Sequence, residues 1–234
     1  MSALHLVRLR LRTPEFVRFA KEQGLLHVTE AGSGYALHAW LAAMFGQMAP
    51  KPFRFDPRRA ELLGYASMTA EGLADHAQAF ASPLAYGALH HDSLLSKPMP
   101  AKWTIGRSLR LDVEVCPVSR VDGDEKDVYL RALDRLGDGA PAREAVYRDW
   151  LRKQLESAVV VQSVEIASLA QREGLVRPDR AASGRRLRIV ERPRVQCIVQ
   201  SEVRDSQAFA QLLSRGVGRH RAFGFGMLLL AAGS

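Results

Sequence analysis

The spacing of apolar residues predicts the first strand and the first helix of the chain. Residues 3–11 (ALHLVRLRL) alternate apolar and polar positions, which is typical of a strand with one buried face. A glycine-containing loop is expected up to residue 34. Beyond it the period becomes helical, and the sequence YALHAWLAAMFGQM predicts an amphipathic helix. Its apolar stripe consists of Leu37, Trp40, Leu41 and Met44.

The rest of the first half predicts two short strands, a second helix and a further strand. The strands FRF and ELLGYAS lie within residues 52–68, and Thr69 is a suitable N-cap for a helix over 69–80. His90, His91 and Asp92 are predicted to lie in a surface loop. Residues 106–118 (GRSLRLDVEVCPV) alternate again and predict the last strand of a β-α-β-β-α-β unit.

The second half repeats this order loosely. After an acidic turn region, a helix, a β-rich segment, a hairpin centred on Arg192 and Pro193, a short helix and a final strand are predicted. These elements occupy residues 121–127, 140–157, 157–170, 185–203, 205–216 and 223–232. Two such units predict an α+β fold of tandem ferredoxin-like (RRM-like) domains, 1–118 and 119–234, with a glycine-rich loop near the C-terminus.

The charge distribution points to a polyanionic partner. The net charge is +8, and residues 171–234 carry twelve arginines against five carboxylates. Arginine pairs with phosphate and stacks on bases, so the composition favours nucleic acid binding; a plain basic surface is the alternative. Neither a signal peptide nor a membrane span is predicted. Cys116 and Cys197 lie in apolar stretches and are interpreted as buried, reduced thiols of a cytoplasmic protein, with a disulfide as the alternative.

The stretch RGVGRHRAFGFGMLLL (215–230) is the strongest candidate for a binding site. Glycines let successive backbone N–H groups turn toward an anion, and the neighbouring cations add positive charge. The stretch lacks the strand–loop–helix context of a dinucleotide fingerprint and the Gly-Lys-Ser/Thr of a P-loop, so no nucleotide cofactor is expected. A phosphodiester backbone is the expected ligand, contacted by Gly216, Gly218, Arg219, Arg221, Gly224 and Gly226.

This loop, the tandem order and the Tyr-x-x-His of YALH together resemble a known family. The glycine-rich run is similar to that of the RAMP proteins of CRISPR systems, and the whole pattern resembles their CasE (Cse-type) RNA-processing branch. The resemblance implies a metal-independent endoribonuclease, without cofactor, that cleaves precursor CRISPR RNA within repeats. It further implies that Tyr35 and His38 carry out the reaction, in which the ribose 2′-OH attacks the phosphate and leaves a 2′,3′-cyclic phosphate.

The same resemblance implies that the protein stays bound to the repeat stem-loop and serves, or joins, a larger CRISPR effector complex. One departure from the branch is that Ala42, Ala43 and Met44 occupy the region where its members carry a lysine. His220 is therefore a second candidate for proton transfer. The predicted hairpin supplies candidate RNA-binding arginines, namely Arg185, Arg186, Arg188, Arg192 and Arg194.

Two other functions remain open at this point. The missing lysine favours a catalytically weak or inactive RNA-binding subunit. A ferredoxin-like protein that binds a small molecule, with no RNA partner, is the alternative from a different class.

Overall fold

The computed structural model describes residues 3–25, 34–179 and 186–233, which form two compact units. The first unit combines three separate stretches of the chain, Met1–Ala101, Gly174–Glu191 and Ala222–Gly224. The second unit contains Lys102–Glu173, Arg192–Arg221 and Phe225–Ser234. Each unit is built around one four-stranded sheet.

The first unit has the ferredoxin-like strand order. Its sheet is arranged β2-β3-β1-β4, and the pairs β1–β3, β1–β4 and β2–β3 are antiparallel. A 3₁₀ turn, Gly46–Met48, follows the second helix. In chain order the elements are β1 (His5–Leu11), α1 (Thr13–Glu22), α2 (Gly34–Phe45), β2 (Phe53–Asp56), β3 (Glu61–Ala66), α3 (Ala70–Phe80), α4 (Pro83–Gly87) and β4 (Leu89–Pro98).

The second unit has the equivalent order β10-β5-β9-β8 in its main sheet. A small hairpin, β6–β7, and two helices are inserted after its first strand. The elements are β5 (Ser108–Val115), β6 (Val118–Val121), β7 (Asp124–Asp127), α5 (Val128–Leu136), α6 (Arg143–Leu155), β8 (Val159–Asp179), β9 (Arg186–Val203), α7 (Ser206–Arg215) and β10 (Leu228–Ala232). The predicted tandem ferredoxin-like fold is therefore confirmed.

Helix α2 is anchored in the core of the first unit by its apolar stripe. Leu37, Trp40 and Leu41 are at most 1% exposed, and the Trp40 indole N–H donates to the carbonyl oxygen of Ala85 at 3.0 Å. Burying a polar N–H requires such a partner, so this bond fixes the rotation of the helix about its axis. Consequently, the direction in which the His38 side chain leaves the helix, off the centre of the stripe, is fixed as well.

The structure divides the chain before β5 and not after it. The sequence assigned residues 106–118 to the first domain, but β5 pairs with β9 and β10 in the second sheet. The fourth strand of the first sheet is β4, which includes His90, His91 and Asp92 instead of leaving them in a loop. Polar residues in β4 hide its strand character, and alternation alone reveals a strand without revealing its partner.

Two further elements differ from the prediction. Helix α1 replaces part of the expected loop; it begins with a proline in its first turn and buries Phe16, Phe19 and Ala20, which have helical spacing. The expected hairpin around Arg192 and Pro193 is one continuous strand, β9, whose neighbour in the sheet is β8. The pairing of β9 with β5 ends at Val195, so Pro193 interrupts no hydrogen bond between these two strands.

Both cysteines are buried, and neither belongs to a disulfide. Burial raises the pKa of the Cys197 thiol to about 12, which keeps it protonated and unreactive. Among the helices that the structure describes, none has the length and apolar character needed to cross a bilayer.

Candidate functional site

The start of helix α2 meets a segment of the glycine-rich loop within the first unit. The Phe223 ring lies 5.9 Å from the Tyr35 ring and 5.6 Å from the His38 ring, measured between centroids. A Cβ atom on Gly34 would overlap the carbonyl oxygen of Phe223, so glycine is required where the two backbones approach. The segment Ala222–Gly224 of the loop therefore lies against the pair of side chains that the sequence predicted.

His38 is half-buried and has an altered acidity. Burial lowers the pKa of its imidazole from the ordinary histidine value, and the positive charge of Lys51 lowers it further. Both effects disfavour the imidazolium ion. A neutral imidazole near pH 7 is suited to accept a proton.

Lys51 is a site residue that the sequence reasoning missed. It lies just before β2, is exposed, and has no ion-pair partner among the described residues. Ala42, Ala43 and Met44 follow His38, so the sequence showed that the lysine of the CasE branch is absent from the helix. Lys51 lies in the segment between helix α2 and β2, and no periodic pattern in the sequence relates that segment to His38. Only the three-dimensional structure shows that the Lys51 charge acts on His38.

Replacing Lys51 by glutamine is expected to raise the pKa of His38, because it removes a like charge that opposes protonation. The pKa is measured by NMR titration of the histidine ring signals at low ionic strength. Since Lys51 is exposed, added salt should also raise the His38 pKa of the wild type, and should have a smaller effect in K51Q. Lys97→Gln, an exposed lysine on β4, is the matched control; identical His38 pKa values in K51Q and K97Q would contradict the assignment.

Glu125, on β7, contacts two arginines and one histidine of the second unit. Its carboxylate is 6% exposed and accepts from Arg192 Nε at 3.2 Å and Arg219 Nε at 2.8 Å, and its Oε1 lies 3.0 Å from His220 Nε2. The His220 side chain is 2% exposed. His220 was the second candidate for proton transfer; the structure buries its ring against Glu125, and its catalytic role stays a prediction.

The backbone of the glycine-rich loop is left-handed at every glycine that the sequence identified. A Cβ on Gly226 would overlap the carbonyl oxygen of Val217, so this position also excludes larger residues. His220 shares the left-handed conformation, with φ of 61°. The φ values are 75° at Gly216, 69° at Gly218, 92° at Gly224 and 77° at Gly226.

Positive charge is concentrated beside this loop. Arg221 donates to the carbonyl oxygen of Arg215 at 2.7 Å. Burial lowers the pKa of its guanidinium, and the neighbouring charges of Arg215 and Arg219 lower it further. The Arg219 side chain is 43% exposed although it is paired with Glu125. Such crowding of cations is relieved by an anion, as expected for a phosphate-binding segment.

The five arginines predicted to bind RNA along the hairpin have different environments. The Arg192 guanidinium is bound by Glu125, and Arg194 pairs with Glu114 at 2.6 Å and lies over the Phe225 ring at 5.5 Å. Arg186 and Arg188 belong to strand β9, whereas Arg185 lies outside the described residues. Arg192 and Arg194 thus stabilise the second unit, whatever further contacts they make.

Comparison with known proteins establishes the family. A model of CRISPR-associated proteins matches residues 4–232 of the chain. The chain belongs to this CRISPR-associated family. No curated protein matches it in sequence. No group of three or more histidine, cysteine or acidic residues that could hold a metal ion occurs within residues 3–25, 34–179 and 186–233 of the chain.

Solved structures of CRISPR proteins share the fold over nearly the whole chain. Cse3 of Thermus thermophilus, bound to an RNA representing a pre-cleavage complex, is 20% identical with a TM-score of 0.63, and the match covers 98% of this chain and 99% of that one. Cas6e of Escherichia coli K-12 is 18% identical with a TM-score of 0.54 and the same coverage. A chain of a CRISPR RNA-guided surveillance complex is 16% identical, with a TM-score of 0.57 and coverage of 97% and 99%. The expected membership of a CRISPR-associated family is thereby confirmed, and so is the fold that the CasE-type structures share.

Proposed function

We propose that the protein is a metal-independent endoribonuclease that cleaves precursor CRISPR RNA within its repeats, in the cytoplasm. One observation carries the proposal: the segment Ala222–Gly224 of the basic, glycine-rich loop packs on the helix face that presents Tyr35 and His38. Family membership and the shared fold with RNA-bound Cse3 support it.

In the proposed reaction, the 2′-OH of the nucleotide before the scissile phosphate is the nucleophile. Neutral His38 accepts its proton as the 2′-oxygen bonds to phosphorus. The bond between phosphorus and the 5′-oxygen then breaks, and Tyr35, three residues earlier on the same helix face, supplies a proton to the leaving oxygen. Solvent restores the protonation states of both side chains. The products are a 2′,3′-cyclic phosphate and a 5′-OH, so atoms and charges balance without a metal.

The negative charge that develops on the phosphorane needs fixed cations and N–H donors. We propose that Lys51 replaces the lysine that the CasE branch carries later on the catalytic helix. It is exposed, and its charge acts on the same imidazole. The glycine-rich loop, through Arg219, Arg221 and the backbone N–H groups around Gly216, Gly218, Gly224 and Gly226, would contact the RNA backbone.

Recognition of the repeat is proposed to depend on strand β9 and the residue before it in the sequence. Arg185, Arg186 and Arg188 occur together there, and arginines on a β-ribbon can contact the phosphates of an RNA stem. Because such contacts involve the stem and not the scissile bond, they persist after cleavage and would keep the product bound. The match to a surveillance-complex chain supports a place in an effector complex.

Cleavage of the repeat RNA encoded beside the gene, in buffer containing EDTA, tests the function. The expected products carry a 2′,3′-cyclic phosphate and a 5′-OH, and a 2′-deoxy substitution at the scissile nucleotide is expected to abolish cleavage. The control RNA carries the 2′-deoxy substitution one nucleotide away and should be cleaved normally. Cleavage that survives substitution at the scissile nucleotide, or that requires a divalent metal, would contradict the mechanism.

A non-catalytic RNA-binding subunit is the second candidate, and the absence of a lysine at Ala42, Ala43 and Met44 favours it. The same experiment separates the two functions. Binding of the repeat RNA that weakens steeply with salt, without any product, would identify the non-catalytic subunit.

A further inference from the structure

Phe223 is the aromatic residue of the glycine-rich loop that contacts the proposed catalytic pair. It ends a short 3₁₀ turn, Arg221–Phe223, and its side chain is half-buried. Its ring is tilted by 30° against Tyr35 and lies edge-on to His38, with an interplanar angle of 85°. Among the described residues, it provides the ring that packs on the His38 imidazole.

The position of Phe223 is fixed by the backbone on either side of it. The Phe223 carbonyl oxygen packs so closely on Gly34 that there is no room for a Cβ atom there. The loop backbone therefore cannot move closer to helix α2. The next residue, Gly224, lies against Phe53, whose ring carbon is 3.5 Å from the position that a Cβ would occupy. Phe53 is only 1% exposed and cannot give way without disturbing the core. The backbone of Phe223 is therefore confined at the start of helix α2, which places its ring beside His38.

A comparison with Phe225, two residues later, separates this contact from ordinary packing. Phe225 is 4% exposed and packs in the second unit beside His220 and under Arg194. A buried phenylalanine of that kind stabilises the fold. Phe223 is more exposed and buries less apolar surface, and its ring contacts Tyr35 and His38.

We propose that Phe223 is a positioning residue for His38: its ring holds the imidazole plane in the orientation needed for proton transfer and shields one side of it from water. This inference rests on the proposed function, because it deepens the role of the same site. Edge-to-face contact with an aromatic ring restricts the plane of the imidazole, whereas an aliphatic side chain has no such directional preference. Small errors in the placement of a proton acceptor are costly in rate.

The acidity of His38 is consistent with this role. Burial is the larger cause of its lowered pKa, and the Lys51 charge is the second. Tyr35 and Lys51 are the other titratable groups that act on or share the face of His38. Removing the Phe223 ring leaves the Lys51 charge in place and removes part of the apolar cover. The His38 pKa should consequently rise toward the ordinary histidine value.

The experiment compares wild type, F223A, F223L and F225A in the full-length protein. NMR titration gives the His38 pKa, single-turnover cleavage at saturating repeat RNA gives the rate as a function of pH, and a binding titration gives the Kd for RNA. For F223A we expect a raised His38 pKa, a matching shift of the pH–rate profile, a rate about 10- to 100-fold lower, and a Kd within about threefold of wild type. F223L retains apolar volume but has no ring, so it should recover the pKa and leave the rate well below that of wild type.

F225A is the matched control for disturbance of the loop. It should lower the melting temperature more than F223A does and leave the His38 pKa unchanged. An unchanged His38 pKa in F223A, a wild-type rate in F223L, or a loss that lies entirely in the Kd for RNA would overturn the inference; the last of these results would make Phe223 a surface for stacking a base. Absence of cleavage by the wild type overturns the proposed function instead, whereas the NMR titration tests the Phe223–His38 contact in either case.

Discussion

Replacement of His38 by alanine is expected to lower the single-turnover rate of repeat-RNA cleavage by about 100- to 10,000-fold, the usual contribution of a positioned proton acceptor. The variant retains the positive charges around the phosphate, so a slow residual cleavage should remain. The RNA affinity should change little, because a neutral imidazole adds no positive charge to attract the RNA phosphates. Rate and Kd are measured on the same repeat RNA.

The pH dependence gives this prediction a second readout. Burial and the Lys51 charge lower the pKa of His38, so the neutral imidazole persists to lower pH than in an ordinary histidine. As a proton acceptor, His38 should therefore make kcat/KM rise with pH and reach its plateau at a lower pH than a histidine with the ordinary value of 6.5 would. This rising limb should disappear in H38A.

Two further variants make the result specific. H38N retains a polar side chain of similar reach but cannot transfer a proton in this pH range, so it should be as slow as H38A. His90→Ala removes an exposed histidine on β4 of the same unit and should cleave at the wild-type rate. A rate for H38A within about threefold of wild type would be incompatible with its role and would transfer the assignment to His220.

Replacement of Glu125 by alanine is expected to reduce the free energy of unfolding by about 3 kcal/mol, near the lower end of the cost of breaking a buried ion pair. The carboxylate is 6% exposed and is the counter-charge for Arg192 and Arg219 and the partner of His220. Arg192 is 18% exposed and cannot replace its lost partner fully with water. Because Arg219 is 43% exposed and can be solvated, its share of the loss is small.

Chemical denaturation of E125A, E125Q and D149A measures this effect. E125Q keeps a hydrogen-bond acceptor and should fall between E125A and wild type. Asp149 pairs with Arg152 on the exposed face of α6, where the side chains are 68% and 46% exposed, so D149A should cost less than about 0.5 kcal/mol. A loss in E125A as small as that in D149A would mean that Arg192, Arg219 and His220 do not depend on Glu125.

The parts of the fold that follow from local pattern were predictable from the sequence. The helical spacing of Leu37 and Trp40 identified α2, and Thr69 caps α3 as expected, accepting from the Gly72 N–H at 3.2 Å. Asp205 likewise caps α7. These features depend on neighbours within one or two turns, so a short window of sequence contains all of the information.

The features that were missed depend on residues distant in the chain. Glu125 and His220 are 95 positions apart, and no local pattern connects a carboxylate on a small hairpin with a histidine in the last loop. The partner of β5 could not be predicted, since alternation is the same in either sheet. Pro193 indicated a turn because proline usually ends a strand, but it lies beyond the last residue that pairs with β5.

The candidate site was predicted in part. Tyr35 and His38 follow from the motif and from the resemblance to the CasE branch, and their roles stay predictions. Lys51 and Phe223 carry no motif that assigns them to His38. Phe223 contacts the imidazole, and the charge of Lys51 acts on it, only after helix α2 and the segment Ala222–Gly224 have packed in the first unit.

The discontinuous make-up of the first unit has a consequence for biosynthesis. Residues 1–101 can emerge from the ribosome and begin to fold long before Ala222–Gly224 is translated. Until then His38 has no phenylalanine ring over it. The nascent polypeptide therefore acquires its finished imidazole environment only after residue 224 has been translated, and an isolated fragment of residues 1–101 would never acquire it.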